Sequence, residues 1–129
     1  MPEYVSAYTS FGVPDIEAAR AFYRDVLGLA VHDGEMGQLT IDLPSGGWVM
    51  VYPKPDHVPA TYTMFNLAVS DINAAVDELA SRGVEFARYE GFGQDERGIA
   101  RSFSVEQGPD IAWFADPAGN IMAVLHNAD

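Results

Sequence analysis

The chain has three histidines, His32, His57 and His126, which are the side chains most suited to general-base chemistry or metal binding near neutral pH. They lie 25 and 69 residues apart, so no two of them have the spacing of a local metal-binding motif. The chain contains no cysteine, which excludes thiolate ligands, disulfides and cysteine nucleophiles. We interpret the histidines as surface or loop residues and expect no metal site built from them.

Other catalytic signatures are missing from the sequence. It contains neither a Gly-x-Ser-x-Gly nucleophile elbow nor a glycine-rich phosphate loop. No pair of carboxylates lies on the faces that we expect to point inward, as general acid–base catalysis would need. We therefore predict no catalytic residue.

The charge balance narrows the classes of partner. Seven basic residues and nineteen acidic residues give a net charge of −12. Nucleic acids and anionic membranes attract clustered Lys and Arg, so we expect neither as a partner, whereas a cationic small molecule would be attracted. The first residues lack the pattern of a signal peptide, and no apolar run approaches the ~18 residues of a membrane span. We expect a soluble, cytoplasmic protein.

Two segments of the chain repeat one another and position the elements of the fold. Residues 13–19 and 69–75 are identical at five of seven positions. In each segment an aspartate, Asp15 or Asp71, stands where an N-cap would begin a helix. Apolar residues then recur at helical spacing until a glycine, Gly28 or Gly83, ends the pattern.

A second pair of segments, 43–52 and 116–125, places Pro and Gly in a turn between two strands. Each half therefore has the order β-α-β-β-β. Three prolines between residues 53 and 59 mark the boundary, which gives module 1 as about 1–58 and module 2 as about 59–129 of a single domain, 1–129. We predict an α+β fold of two tandem βαβββ modules whose curved sheets enclose a cleft.

Residues 13–29, 69–83 and 113–120 resemble the vicinal oxygen chelate superfamily, which includes glyoxalases, dioxygenases and bleomycin-resistance proteins. The resemblance implies a metal held by His and Glu at the floor of the cleft. The residues at those four positions are Tyr8, Met50, Met64 and Ala123. A phenol, two thioethers and a methyl group do not supply the donors that a hard or borderline divalent ion needs. We therefore expect no metal and no cofactor.

The alternation of side chains along each strand adds neighbours on the same faces. The predicted ligand-binding set is Tyr8, Ser10, Trp48, Met50, Tyr52, Met64, Asn66 and Ala123. Aromatic rings and methionines suit a flat or amphipathic organic ligand. The alternative is that these side chains fill the core and leave no cavity.

The glycine-rich segment 88–110 has two interpretations. It could close over a site, with Arg97 or Arg101 pairing with an anion and Asp95, Glu96 or Glu106 receiving a cation. The alternative is a solvated loop.

Our leading hypothesis is a non-catalytic protein that sequesters an aromatic or cationic small molecule such as an antibiotic. Resemblance to the bleomycin-resistance branch further implies a homodimer. The first alternative is an enzyme of the same superfamily, either a metal-dependent lyase, isomerase or dioxygenase with displaced ligands, or a metal-free variant. A second alternative is an interaction module.

Overall fold

A computed structural model describes residues 1–101 and 108–127 of the chain. The chain folds into two compact units, Met1–Val58 and Pro59–Asp129. Each unit contains one small sheet and one helix that follows the first strand of that sheet, which confirms the predicted α+β class. That the two units form one domain stays a prediction. Among the described residues, no helix has the length and apolar character that spanning a membrane requires.

The first unit has the predicted order of elements. They are β1 (Thr9–Val13), α1 (Ile16–Ala21), a π-helical segment (Phe22–Val26), β2 (Ala30–Asp33), β3 (Leu39–Asp42) and β4 (Trp48–Pro53). The strand order is β1-β4-β3-β2, in which β1 and β4 run parallel and the other neighbours run antiparallel. The last three strands therefore form two successive hairpins, and the helical segment connects β1 to them.

The helix begins where the sequence predicts and continues differently. The carboxylate of Asp15 accepts a hydrogen bond of 3.1 Å from the amide of Ala18, as an N-cap does. After Ala21 the helix widens, because the amide of Leu27 bonds the carbonyl of Phe22, five residues earlier, at 3.0 Å. The single α-helix that we expected is therefore an α-helix followed by one π-helical turn.

One face of the first sheet forms the core of the unit. Its buried side chains are Val13, Leu39, Ile41, Val49 and Val51, together with Tyr23 from the π-helical turn. Because side chains alternate along a strand, the residues between them point to the opposite side. We call that side, which includes Ser10, Met50 and Asp42, the far face of the first sheet.

The second unit contains β5 (Phe65–Ala68), α2 (Ile72–Ser81), β6 (Asp110–Ala115) and β7 (Ile121–His126). The strand order is β5-β7-β6, with β5 parallel and β6 antiparallel to β7. Asp71 caps α2 through a 3.1 Å bond from the amide of Ala74, which repeats the cap of α1. Ile72, Val76 and Leu79 of α2 are buried, as are Ala112, Phe114, Met122 and Val124 of the sheet.

The second unit departs from the predicted order after α2. Residues 84–86 do not form a regular strand, although the amide of Ala87 bonds the carbonyl of Trp113 at 2.8 Å. The carbonyl of the same residue, Ala87, accepts a 2.8 Å hydrogen bond from the side-chain amide of Gln94. The chain therefore enters a loop where a βαβββ module would continue its strand.

Candidate functional site

The far face of the first sheet carries five of the predicted ligand-binding residues. Ser10 lies beside Met50 in the parallel pair of β1 and β4, and Trp48 and Tyr52 lie two residues to either side of Met50. Tyr8 precedes β1 on the same side and contacts Trp48. The parallel pairing of two strands that are distant in the chain brings these residues together.

Tyr8 and Trp48 form a stacked aromatic pair. Their ring centroids are 4.0 Å apart and their planes are inclined by 19°. Tyr8 remains 53% exposed despite this contact. An exposed stack of this kind offers a flat apolar surface and a phenolic hydroxyl to a ligand.

A histidine–aspartate pair lies on the same far face. Asp42 is directly opposite Trp48 in the antiparallel pair of β3 and β4. The Nε2 atom of His32 on β2 lies 2.8 Å from Oδ2 of Asp42, and both side chains are more than half exposed. Sequence reasoning missed this pair because it treated His32 as an isolated residue. The hairpin of β2 and β3, whose register puts both residues on one side, is the signal that could have revealed it.

The other three predicted residues belong to the second unit. Asn66 and Ala123 are neighbours in the register of β5 and β7, and Trp113 is the next neighbour on β6. Ala123 is fully buried, whereas Asn66 is exposed and Met64 is half-buried. Asn66 and Met64 are thus the accessible members of this set.

Three aromatic side chains of the second unit form a cluster that sequence reasoning missed. The rings of Tyr89 and Phe92 lie 5.5 Å and 4.9 Å from the indole of Trp113. Tyr89 and Phe92 also contact each other at 6.3 Å, and Phe92 is 54% exposed. Only the hydrophobic character of Tyr89 and Phe92 within a glycine-rich loop could have drawn attention to them.

The side chain of Gln94 closes the base of this aromatic loop. Its amide nitrogen donates to the carbonyls of Ala87 at 2.8 Å and Gly98 at 2.7 Å. Its amide oxygen accepts from the backbone nitrogen of Tyr89 at 2.7 Å. One side chain therefore satisfies three backbone groups and fixes the loop that carries Tyr89 and Phe92.

Arg97 and Arg101 of the same segment bind other side chains of the protein. The guanidinium of Arg97 contacts Asn73 and Asp77 of α2, and that of Arg101 bonds Asn73 at 2.7 Å and Asp95 at 3.1 Å. Both guanidinium groups therefore have partners within the chain, and pairing of either arginine with an anionic ligand stays one of two interpretations of this segment. Glu96 is exposed, and Glu106 lies outside the described residues.

Asp95 organises this segment. Its Oδ1 atom accepts hydrogen bonds from the amides of Arg97 at 2.9 Å and Ile99 at 3.0 Å. Partial burial opposes ionisation of the carboxyl group, but these two bonds and the guanidinium of Arg101 outweigh it, and the pKa of Asp95 lies below its ordinary value. Asp95 is therefore a structural carboxylate in this arrangement.

The donor set at the positions where the resemblance implies a metal does not fit a hard divalent ion. Tyr8, Met50 and Met64 offer a phenol and two thioethers, and Ala123 offers no donor. Across residues 1–101 and 108–127, no three His, Asp or Glu side chains are grouped so that they could hold a metal ion. We derive no reaction step through a metal.

Two units, each with a helix between the first strand and an antiparallel hairpin, define the architecture of the glyoxalase and dioxygenase class of small α+β proteins. Comparison with sequence families agrees with this architecture. The chain belongs to the Glyoxalase/Bleomycin resistance protein/Dioxygenase superfamily, whose family model matches residues 6–124. The search of the curated proteins gave no match.

Solved structures share the fold at low sequence identity. The fosfomycin resistance protein FosX from Listeria monocytogenes has a TM-score of 0.72 at 13% identity, over 99% of this chain and 96% of that one. A superfamily member from Sphaerobacter thermophilus has a TM-score of 0.68 at 24% identity, over 95% and 98%. A glyoxalase/dioxygenase from Nostoc punctiforme has a TM-score of 0.64 at 18% identity, over 100% of both chains. These likenesses concern the fold alone.

Proposed function

We propose that the protein binds a small aromatic or cationic organic compound and does not transform it. The observation that carries this proposal is the stack of the exposed Tyr8 on the half-buried Trp48 on the far face of the first sheet. A third aromatic ring would extend the stack, and Met50 beside it would adapt to the outline of the ligand. Ser10 and the hydroxyl of Tyr52 would supply hydrogen bonds.

In the second unit, Met64, Asn66 and the cross-strand neighbour of Asn66, Ala123, are the proposed ligand-binding residues. Trp113 and the two loop aromatics next to it add further apolar surface on that unit. Aromatic side chains contribute large contact areas at little cost in side-chain entropy. This supports a flat organic molecule as the ligand class.

The net charge of −12 supports a cation as part of the ligand. An acidic surface raises the rate of encounter with cations, and aromatic rings attract them through their faces. An antibiotic is one candidate, and the fosfomycin resistance named for the Listeria neighbour is consistent with a role in resistance. We expect the protein to act in the cytoplasm as a homodimer. Sedimentation of the purified protein would test the dimer.

Calorimetric titration with bleomycin, a cationic glycopeptide with an aromatic tail, tests the proposal. The titration is done with and without bound copper. A dissociation constant in the micromolar range or tighter would support sequestration; a micromolar constant corresponds to a binding free energy of about −8 kcal/mol. Trp48→Ala should weaken binding, whereas Tyr4→Ala, which removes an exposed ring of the first unit, should not. Absence of heat at millimolar ligand would overturn bleomycin as the ligand.

A second candidate function is supported by the His32–Asp42 pair. A carboxylate bonded to one imidazole nitrogen orients the ring, and the other nitrogen can then accept a proton from a substrate. This arrangement would suit a metal-free enzyme of the superfamily. A glyoxalase assay with the hemithioacetal of glutathione and methylglyoxal tests it. Turnover that His32→Gln abolishes would favour the enzyme, and no turnover would favour the binding protein.

A further inference from the structure

We infer that Asp42 recognises the cationic group of the ligand, so that the ligand class is an aromatic compound bearing a permanent or protonated nitrogen cation. This inference rests on the proposed function. The carboxylate of Asp42 would distinguish a cation from a neutral aromatic compound of the same shape.

The position of Asp42 beside Trp48 carries the inference. The two residues are paired across β3 and β4, so their side chains leave the same side of the sheet. Directly opposed residues have Cβ atoms about 4.5–5.5 Å apart. Trp48 in turn stacks on Tyr8. A ring that extends this stack would place a cationic substituent within reach of the carboxylate of Asp42.

The hydrogen bond from His32 leaves part of the carboxylate accessible. His32 engages Oδ2 at 2.8 Å, and Oδ1 lies outside that bond. An ionised carboxylate can accept about four hydrogen bonds, so one imidazole does not saturate it. The Asp42 side chain is 57% exposed, which allows a ligand to approach it.

Three other aspartates of the first unit have guanidinium or ammonium partners. Asp33 pairs with Arg20 at 2.5 Å, Asp25 with Arg24 at 2.9 Å and Asp56 with Lys54 at 2.9 Å. A ligand would have to compete with a guanidinium or an ammonium at each of them. Asp42 differs because its partner is a histidine and its cross-strand neighbour is an aromatic ring. A carboxylate next to an aromatic face is a favourable environment for an organic cation.

Two matched probes test this assignment with the full chain at low ionic strength. The probes are 1-methylquinolinium, a flat cation, and 1-methyl-2-quinolone, a neutral ring of nearly the same shape, each titrated calorimetrically. We expect Asp42→Asn to weaken binding of the cation by about three- to tenfold and to leave the neutral probe unchanged, as for a solvent-exposed charge contact. Asp42→Glu, which keeps the charge, should restore the preference for the cation.

Glu35→Gln provides the matched control. Glu35 is exposed in the turn between β2 and β3, so its removal changes the net charge as Asp42→Asn does but leaves the far face intact. Equal weakening by Glu35→Gln and Asp42→Asn would assign the effect to the overall field and overturn the inference. Equal binding of both probes to Asp42→Asn and the unaltered protein would also overturn it, while the proposed function stands. Failure of both probes to bind the unaltered protein would overturn the proposed function itself.

Discussion

The ring of Tyr8 stacks on that of Trp48 with 4.0 Å between centroids, although forty residues separate them in the chain. The parallel register of β1 and β4, in which Thr9 pairs with Val49, brings them side by side. This contact therefore requires the crossover through α1 and the two hairpins to be complete. The surface that we propose to bind the ligand therefore forms only when the sheet of the first unit has folded.

Removal of the Tyr8 ring should lower the stability of the protein modestly. An aromatic pair contributes about 0.5–1.5 kcal/mol beyond the area it buries, and Tyr8→Ala removes the pair without opening the core. Urea unfolding of Tyr8→Ala measures this loss. Tyr4→Ala is the control, since Tyr4 is 80% exposed and its truncation should change the free energy of unfolding by less than about 0.5 kcal/mol. Equal losses in the two variants would refute a specific role for the stack.

The repeated aspartates show what local sequence can predict. Asp15 and Asp71 each accept a 3.1 Å hydrogen bond from the amide three residues later, and a glycine follows each helical segment. These features depend on contacts between residues close in the chain, which a repeated sequence reports directly. The predicted fold class follows from these features, because two capped helices with the same local sequence indicate two similar modules in one chain.

The site was only partly predictable because its contacts are distant in the chain. Strand alternation places Ser10, Met50 and Trp48 on one face. The His32–Asp42 pair depends on the register of a hairpin that the sequence does not specify. The aromatic cluster at Trp113 depends on a loop whose path is set by a glutamine side chain. Patterns with a period of two or 3.6 residues do not report such contacts.

The two helix caps should be equivalent in energy. Substitution of an N-cap aspartate by alanine costs about 1 kcal/mol, since an amide of the first turn loses its acceptor. Asp15→Ala and Asp71→Ala should each lower the free energy of unfolding by that amount, as chemical denaturation measures it. Asn retains an oxygen at the same position, so Asp15→Asn and Asp71→Asn should cost less. An alanine variant as stable as the unaltered chain would show that its cap is dispensable.

Gln94 should determine the order of the aromatic loop. Gln94→Ala leaves the amide of Tyr89 and the carbonyls of Ala87 and Gly98 without this partner. Each lost hydrogen bond costs about 1 kcal/mol, so we expect a loss of about 1–3 kcal/mol. Hydrogen exchange should accelerate at the backbone amide of Tyr89, because that amide donates its hydrogen bond to the side-chain oxygen of Gln94.

Gln94→Glu separates the two functions of this side chain. The carboxylate still accepts from the amide of Tyr89 but no longer donates to the two carbonyls. We expect protection of the Tyr89 amide to survive in this variant, while stability still falls. If hydrogen exchange at Tyr89 is unchanged in Gln94→Ala, the side chain does not hold the loop.

Gly98 and Gly91 should respond differently to the same substitution. Both have positive φ angles, +90° and +88°, so alanine at either position should cost about 1–2 kcal/mol in backbone strain. A Cβ atom at Gly98 would also lie 3.0 Å from Cβ of Phe86, whereas nothing lies within 4 Å at Gly91. Gly98→Ala should therefore destabilise the protein more than Gly91→Ala. Equal midpoints of thermal unfolding would contradict the close packing at Gly98.

The carboxylate of Asp95 should make stability depend on pH in the acid range. Its pKa is lower in the folded protein than the value of about 3.9 expected in the unfolded chain. The stabilisation that it provides is therefore complete above that unfolded value and disappears as pH falls through the folded pKa. Asp95→Asn retains an amide oxygen for the backbone donors but loses the charge that pairs with Arg101.

We expect Asp95→Asn to be less stable than the unaltered protein by about 1–3 kcal/mol at pH 7, as for loss of a charged partner. The difference should stay constant down to about pH 5 and shrink below about pH 4, since protonated Asp95 no longer differs in charge from asparagine. Urea unfolding between pH 7 and pH 3 measures it, and other carboxylates affect both proteins equally. Glu96→Gln, which alters the exposed neighbour, should match the unaltered protein throughout. A difference that persists undiminished at pH 3 would show that Asp95 acts through its shape and not through its charge.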